Sequence, residues 1–198
     1  IKYISKKKDY EKNVLSTKNI LNYIVSNDIY PKFIFMSSIS IFGNSNLKRL
    51  REYSKIKPIS NYAKNKVLAE NFCYRYFKKF KIDMLILRGS SIYGPGLNRQ
   101  IIHDVCEKIY KKNNIFFGSG QEERDFIYVD DVCNFFKKVI NKSFNGFGIV
   151  NLGTGKSTKI KNIINFFNKK LGDRIIPKYN KLGTKINPNR LIKKKKKM

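Results

Sequence analysis

The sequence predicts an α/β protein in which a parallel sheet carries helices on both faces. Two observations predict it. Apolar runs of strand length, KFIFMSS at 32–38, MLILR at 84–88 and GIVNLG at 148–153, alternate with longer stretches whose apolar residues recur at helical spacing. The chain is also large enough to enclose such a sheet, with 198 residues of which 41% are hydrophobic.

The elements follow in order. Val14, Ile20, Leu21 and Ile24 fall near one face of a helix expected between about residues 10 and 26. The strand KFIFMSS follows Pro31 and ends in two hydroxyls, Ser37 and Ser38. Residues 43–61, rich in Asn, Ser and Lys and carrying Pro58, read as a surface loop. A second helix spans about 61–80, with Tyr62, Val67, Leu68 and Phe72 among lysines. MLILR is another strand, and SIYGPG after it is turn chemistry. IIHDVCEKIY (101–110) predicts a helix, NIFFGSG a short strand and turn, and DDVCNFFKKVI (130–140) an amphipathic helix with acids in its first turn, where the helix dipole favours them. GIVNLG is a strand and KIKNIINFFNKKL (159–171) a last helix, before a tail holding Pro177 and Pro188. Open parallel sheets bind ligands outside the carboxyl ends of their strands, so Ser37 and Ser38 mark where a site is to be sought.

Composition narrows the function classes. The formal charge is +28, from 34 Lys and 8 Arg against 14 acids. Such a surface attracts polyanions by counterion release. Yet base and phosphate recognition favour the guanidinium fork over the lysine point charge, so solvated lysine faces explain the charge equally well, and no specific nucleic-acid partner is expected. The KKKKK run at 193–197 reads as a solvated tail. Cys73, Cys106 and Cys133 lack CxxC spacing and His103 is the single histidine, which argues against a zinc site or a disulfide framework. No apolar run approaches the roughly 18 residues of a membrane span, and IKYISKKKDY has no apolar signal core, so the expectation is a cytoplasmic protein with no membrane partner. GTGKST at 153–158 is not a P-loop, because the glycine required five residues before Gly155 is Val150. Asp104 follows His103 directly, and adjacent helix residues do not face each other, which gives a serine triad little support.

The chemistry-bearing pattern is YAKNK. Tyr62 and Lys66 are four apart and share a helix face. An ammonium beside a phenol favours the phenolate and makes tyrosine a usable proton acceptor and donor near neutral pH. A strand-end serine can hold the same substrate oxygen. On a lysine-rich helix the spacing also arises by chance, so its weight depends on its company.

With that company, the sequence resembles the extended short-chain dehydrogenase/reductases, the NAD(P)-dependent nucleotide-sugar epimerases, dehydratases and reductases. The matching stretches are KNVLSTKNIL (12–21), FIFMSSISIFG (33–43), PISNYAKNKVLAEN (58–71), LRGSSIYGPG (87–96), GSGQEERDFIYVDDV (118–132) and IVNLGTG (149–155), in the family's order and spacing. The resemblance implies a partial Rossmann-type sheet over residues 1–98, a smaller nucleotide-sugar lobe over 99–198, and a return of 130–153 to the Rossmann sheet. It implies that Tyr62 is the catalytic acid/base, that Lys66 orients the nicotinamide ribose and lowers the tyrosine pKa, and that Ser38 is the catalytic serine. Ser37, Asn13, Tyr93 and Pro95 fall at positions lining the cofactor, and Ser38, Ser91, Arg124 and Arg190 at positions facing the nucleotide sugar. Arg124 would hold the diphosphate, against the plainer reading of an ion pair with its acidic neighbours. NAD or NADP is the implied cofactor, and a homodimer through helices 10–26 and 61–80 the implied assembly.

Departures shape the expected activity. The family's dehydratases carry Thr-Asp-Glu where this chain has Ser38, Ile39 and Ser40, so 4-epimerization or 4-keto reduction is expected over dehydration. Ser91 stands at a position that often holds a substrate-contacting asparagine, and Phe42 where a tyrosine is usual. Residues 1–42 contain no glycine, so the GxxGxxG pyrophosphate loop is missing. The expectation is a truncated piece that binds NAD poorly, and the alternative function is a catalytically silent binding or regulatory module.

Overall fold

The computed structural model describes residues 6–43, 50–98, 100–142 and 144–180. The chain divides into two compact units, residues 1–90 with 131–153, and residues 91–130 with 154–198. The first break falls at Ser90, so residues 91–98 belong to the second unit rather than to the first 98-residue domain expected from sequence. Their pairing explains it, since Ser91–Tyr93 bonds to a strand of the second unit.

The first unit begins with a helical stretch of three parts: α1 (Lys6–Tyr10), a π-helical turn (Glu11–Leu15) and α2 (Ser16–Ser26). Near the π turn, the hydroxyls of Ser16 and Thr17 donate to the carbonyls of Lys12 and Asn13, at 2.6 and 3.0 Å. The buried stripe is Val14, Thr17, Leu21 and Ile24. Ile20, expected on that face, is 51% exposed. It stands a helical step of about 100° from Leu21, which takes it off the stripe.

β1 (Phe33–Ser38), β2 (Met84–Gly89) and β6 (Phe147–Leu152) form a parallel sheet in the order β1-β2-β6. Register aligns Phe33, Met84 and Phe147 in one row, then Phe35, Ile86 and Ile149, then Ser37, Arg88 and Asn151. The first two rows face a core built with Leu21 and Ile24 of α2 and with Ala69 and Cys73 of α3 (Asn61–Phe80). The third row is polar and stands at the carboxyl ends of the strands. All six residues of β2 are buried, as the central strand of a sheet covered on both faces requires.

α3 starts where Ser60 caps it, its hydroxyl accepting from Ala63 N at 3.1 Å, and ends at Lys81 in the left-handed conformation. Between β1 and α3, a 3-10 turn (Ile39–Phe42) leads to Gly43, whose φ is +61°. A Cβ there would lie 2.1 Å from the Lys57 carbonyl oxygen, because the returning chain bonds Lys57 N to Ile41 O at 2.9 Å. Only glycine fits both the backbone angle and the close approach.

The second unit carries β3 (Ser91–Tyr93), β5 (Glu123–Tyr128) and β7 (Ser157–Lys159) in one sheet, β3 parallel and β7 antiparallel to β5. β4 (Ile115–Phe117) pairs with β8 (Lys178–Asn180). α4 (Ile101–Tyr110) and α6 (Ile160–Lys170) supply Val105, Ile109, Ile160 and Ile164 to its core, joined by Phe116 and Ile175. α5 (Val129–Asn141) runs across the second break. The start of SIYGPG is thus a strand rather than a turn. A three-residue strand shows no periodicity of its own and forms because a partner strand is there to pair with it. Among the described residues no helix is long and apolar enough to cross a membrane, no His/Cys/Asp/Glu group is placed to hold a metal, and the three cysteines are free.

Candidate active site

Helix α3 places Tyr62, Lys66 and Glu70 at intervals of one turn, on one face. That face meets the end of β1. The hydroxyl of Ser38 accepts from Ser40 N at 3.2 Å and lies close enough to the phenol of Tyr62 to pull its pKa down. Lys66 Nζ donates to the carbonyl of Met36 at 2.8 Å and stands over two rings, 4.9 Å from the centroid of Phe35 and 5.7 Å from that of Tyr62. The trio expected from sequence therefore converges: a serine, a phenol and an ammonium at the carboxyl end of one strand.

The electrostatics differ from the expectation. The Tyr62 phenol lies above its ordinary pKa: lost solvation pushes it up, the nearby Ser38 hydroxyl pulls it down, and the charge of Asp9 pushes it up again. Lys66 lies below its ordinary value through burial, opposed by Asp9, Glu70 and Cys73. The anticipated lowering of the tyrosine by the lysine is not what dominates. Lys66 directs its ammonium at a backbone carbonyl, and desolvation of a phenol favours its neutral form.

Ser37 and Ser38 have separate fates. Ser37 is buried and its hydroxyl donates to Glu70 Oε1, a short hydrogen bond. Glu70 in turn forms a two-pronged ion pair with Arg88, Nε to Oε1 at 3.1 Å and Nη2 to Oε2 at 2.7 Å. Sequence reading missed Glu70 and Arg88. The available signal was the helical interval from Tyr62 through Lys66 to Glu70, together with a charged residue at the end of the otherwise apolar MLILR.

The other candidates are placed as follows. Asn13 Nδ2, in the π turn, donates to the Asp9 carbonyl oxygen at 2.9 Å and to Asp9 Oδ1 at 3.0 Å, while Asn65 Nδ2 of α3 donates to Asp9 Oδ2 at 2.9 Å. The side chain of Asn13 is thus engaged within its own helix. In the second unit, Ser91, Tyr93 and Phe126 line a small cleft with Leu97, Gln100 and Ile101. Pro95 is exposed. Arg124 is half-buried on β5, and burial pulls its guanidinium below the ordinary value. Its acidic neighbours are engaged elsewhere: Glu122 accepts from Ser119, Glu123 from Ser157, and Asp125 from Thr154 and Gly155. Arg124 forms no ion pair among the described residues, though the charge of Glu122 opposes the effect of burial. The same contacts dispose of the GTGKST turn as a phosphate cradle, since the Thr154 and Gly155 amides are already bound to a carboxylate. Arg190 lies outside the described residues.

The parallel sheet with helices packed on it is a Rossmann-type arrangement. Residues 2–153 match the NAD dependent epimerase/dehydratase family, and the chain belongs to it. It is 33% identical over 172 residues to a putative UDP-glucose 4-epimerase of Methanocaldococcus jannaschii, covering 84% of this chain and 55% of that protein. It is 33% identical over 132 residues to the dTDP-D-glucose 4,6-dehydratase of Homo sapiens, covering 62% and 35%. Among solved structures, UDP-glucuronic acid 4-epimerase from Bacillus cereus in complex with NAD superimposes with a TM-score of 0.82 at 25% identity, over 91% of this chain and 60% of that one. The chain spans about half the length of the first of these relatives and about a third of the second.

Proposed function

We propose that the chain belongs to an NAD(P)-dependent nucleotide-sugar 4-epimerase or 4-keto reductase working through Ser38, Tyr62 and Lys66. The observation that carries this reading is the ammonium of Lys66, anchored on the Met36 carbonyl at 2.8 Å and 5.7 Å from the Tyr62 ring centroid, at the strand end that carries Ser38. The residues present suit the nicotinamide-ribose end of a dinucleotide. Lys66 carries three N–H donors and Met36 takes one, which leaves donors for ribose hydroxyls, and no carboxylate stands at ion-pair distance among the described residues. When bound, the dinucleotide supplies the acceptor and donor of hydride.

The protein's own residues handle the proton. In the oxidative direction Tyr62 accepts the proton of the sugar 4-hydroxyl as the hydride leaves the same carbon; in the reductive direction it returns a proton to the ketone oxygen. Ser38 donates to that oxygen and steadies the negative charge it gains during reduction. A phenol above its ordinary pKa rests protonated at neutral pH, which suits the reductive step directly. The oxidative step needs the phenolate, which the Ser38 hydroxyl favours. Dehydration is disfavoured because the turn after Ser38 offers Ile39 and Ser40 in place of two acids.

The remaining expectations join this proposal. Arg124, half-buried and without an ion pair among the described residues, suits a sugar-nucleotide diphosphate. Exposed apolar residues on α2 and α3, among them Ile20, Tyr23 and Leu68, support pairing of two copies through those helices. A cytoplasmic location is consistent with the free cysteines. Tyr62→Phe in the intact protein tests the assignment. Turnover should fall by roughly 10²- to 10⁴-fold with nucleotide-sugar affinity nearly unchanged; retained turnover sinks the role.

A further inference from the structure

Three polar side chains are buried together at the carboxyl end of the first unit's sheet: Ser37 of β1 at 5% exposure, Glu70 of α3 at 6% and Arg88 of β2 at 2%. Glu70 Oε1 receives Ser37 Oγ and Arg88 Nε, Oε2 receives Arg88 Nη2, and Arg88 Nη1 reaches the carbonyl of Glu52 at 2.7 Å. The guanidinium lies 5.3 Å from the ring centroid of Phe42. Residues 50–52 are also held from β6, where Asn151 N donates to Glu52 Oε1 at 2.8 Å and Asn151 Nδ2 to Leu50 O at 3.1 Å.

A buried ion pair is a weak source of stability, because desolvating both charges offsets most of their attraction, and its best-attested use is to fix register. The Lys66 bond to the Met36 carbonyl is one directional tie between α3 and the sheet, and the Glu70–Arg88 fork is a second. Ala69 and Cys73 pack α3 onto the sheet through apolar contacts, which have no direction and tolerate sliding. The fork of Arg88 does not tolerate it, since both of its bonds to Glu70 are directional. Glu70 sits one turn from Lys66 and two from Tyr62, and Ser37 immediately precedes Ser38. Whatever holds Glu70 to Ser37 and Arg88 therefore sets how far α3 advances along β1, and with it the approach of Tyr62 to Ser38.

We infer that Glu70 and Arg88 are a positioning pair that locks helix α3, the end of β1 and residues 50–52 into one register, and so sets the Ser38–Tyr62 contact. Neither residue touches the reacting atoms. The catalytic consequence rests on the function proposed above; the geometric claim stands apart from it.

The test is the double substitution Glu70→Leu/Arg88→Met in the intact protein. Apolar replacement of both partners keeps the volume and commonly preserves folding. Expected are a kcat lower by about 10²-fold, as for a displacement of about 1 Å at the reacting groups, and a nucleotide-sugar KM within about twofold. A crystal structure of the variant should show Ser38 and Tyr62 moved apart and Lys66 withdrawn from the Met36 carbonyl. Unchanged contacts together with wild-type kcat overturn the inference and leave the pair a packing feature. Should the double variant not fold, Arg88→Lys keeps the charge without the fork, and the same two readouts decide. If the unsubstituted protein turns over no nucleotide sugar, the enzymatic reading fails, while the crystallographic contacts still decide the positioning claim.

Discussion

Lys66 of α3 donates its ammonium to the carbonyl of Met36, two residues before Ser38 on β1, at 2.8 Å. This bond ties the helix that carries the phenol to the strand that carries the serine. Burial lowers the pKa of the same ammonium, so the bond holds a charge that its surroundings resist. Lys66→Met keeps the stem near Phe35 and removes the charged donor. Loss of one hydrogen bond to a charged group predicts a fall of about 1–3 kcal/mol in unfolding free energy, read by chemical denaturation. Turnover should fall further than that stability loss explains, and an enzyme of normal kcat would remove Lys66 from the site.

Tyr62 titrates above its ordinary value through burial, with Ser38 and Asp9 acting in opposite senses. Without bound nucleotide, the alkaline absorbance difference between the protein and Tyr62→Phe should therefore show a phenol ionising above pH 10. Ser38→Ala should move that transition further up, since it removes a donor to the phenolate. Asp9→Asn should move it down, since it removes a neighbouring negative charge. A transition below pH 10 in the parent contradicts the electrostatic account. The linkage has a definite sign. A phenol whose folded pKa is raised contributes stability that is complete below its unfolded pKa and is lost as pH climbs through the folded one.

Arg124 is the half-buried cation of β5 whose acidic neighbours bond elsewhere. If it receives the diphosphate, Arg124→Met should weaken nucleotide-sugar binding by roughly 10- to 100-fold, the scale of a charge-assisted hydrogen bond of about 1.5–3 kcal/mol. Binding of the free sugar should not change. Calorimetric titration of both ligands separates this from a general loss of the fold, and equal affinity of variant and parent for the nucleotide sugar would exclude the role.

Much of the fold was legible before any coordinates. The strand runs at 32–38, 84–88 and 148–153 and the helix at 61–80 appear where their periodicity placed them, because each is long enough for side-chain spacing to record which faces are covered. The short strands Ser91–Tyr93, Ser157–Lys159 and Lys178–Asn180 were not legible, since each forms only against a partner remote in sequence. The exposure of Ile20 was likewise misjudged, although Leu21 beside it is fully buried.

The same division runs through the candidate site. Sequence by itself determined that a tyrosine and a lysine share a helix face and that two serines end a neighbouring strand, because these are facts of local geometry. The resemblance already named Ser38 as the catalytic serine, but only the tertiary structure sent Ser37 to Glu70 and Arg88 and raised the Tyr62 pKa that the lysine was expected to lower. Those outcomes depend on desolvation and on contacts between residues 18 to 33 positions apart, such as Arg88 with Glu70 and Ser37 with Glu70. No local pattern records distances of that kind, because they arise only when the helix lies down on the sheet.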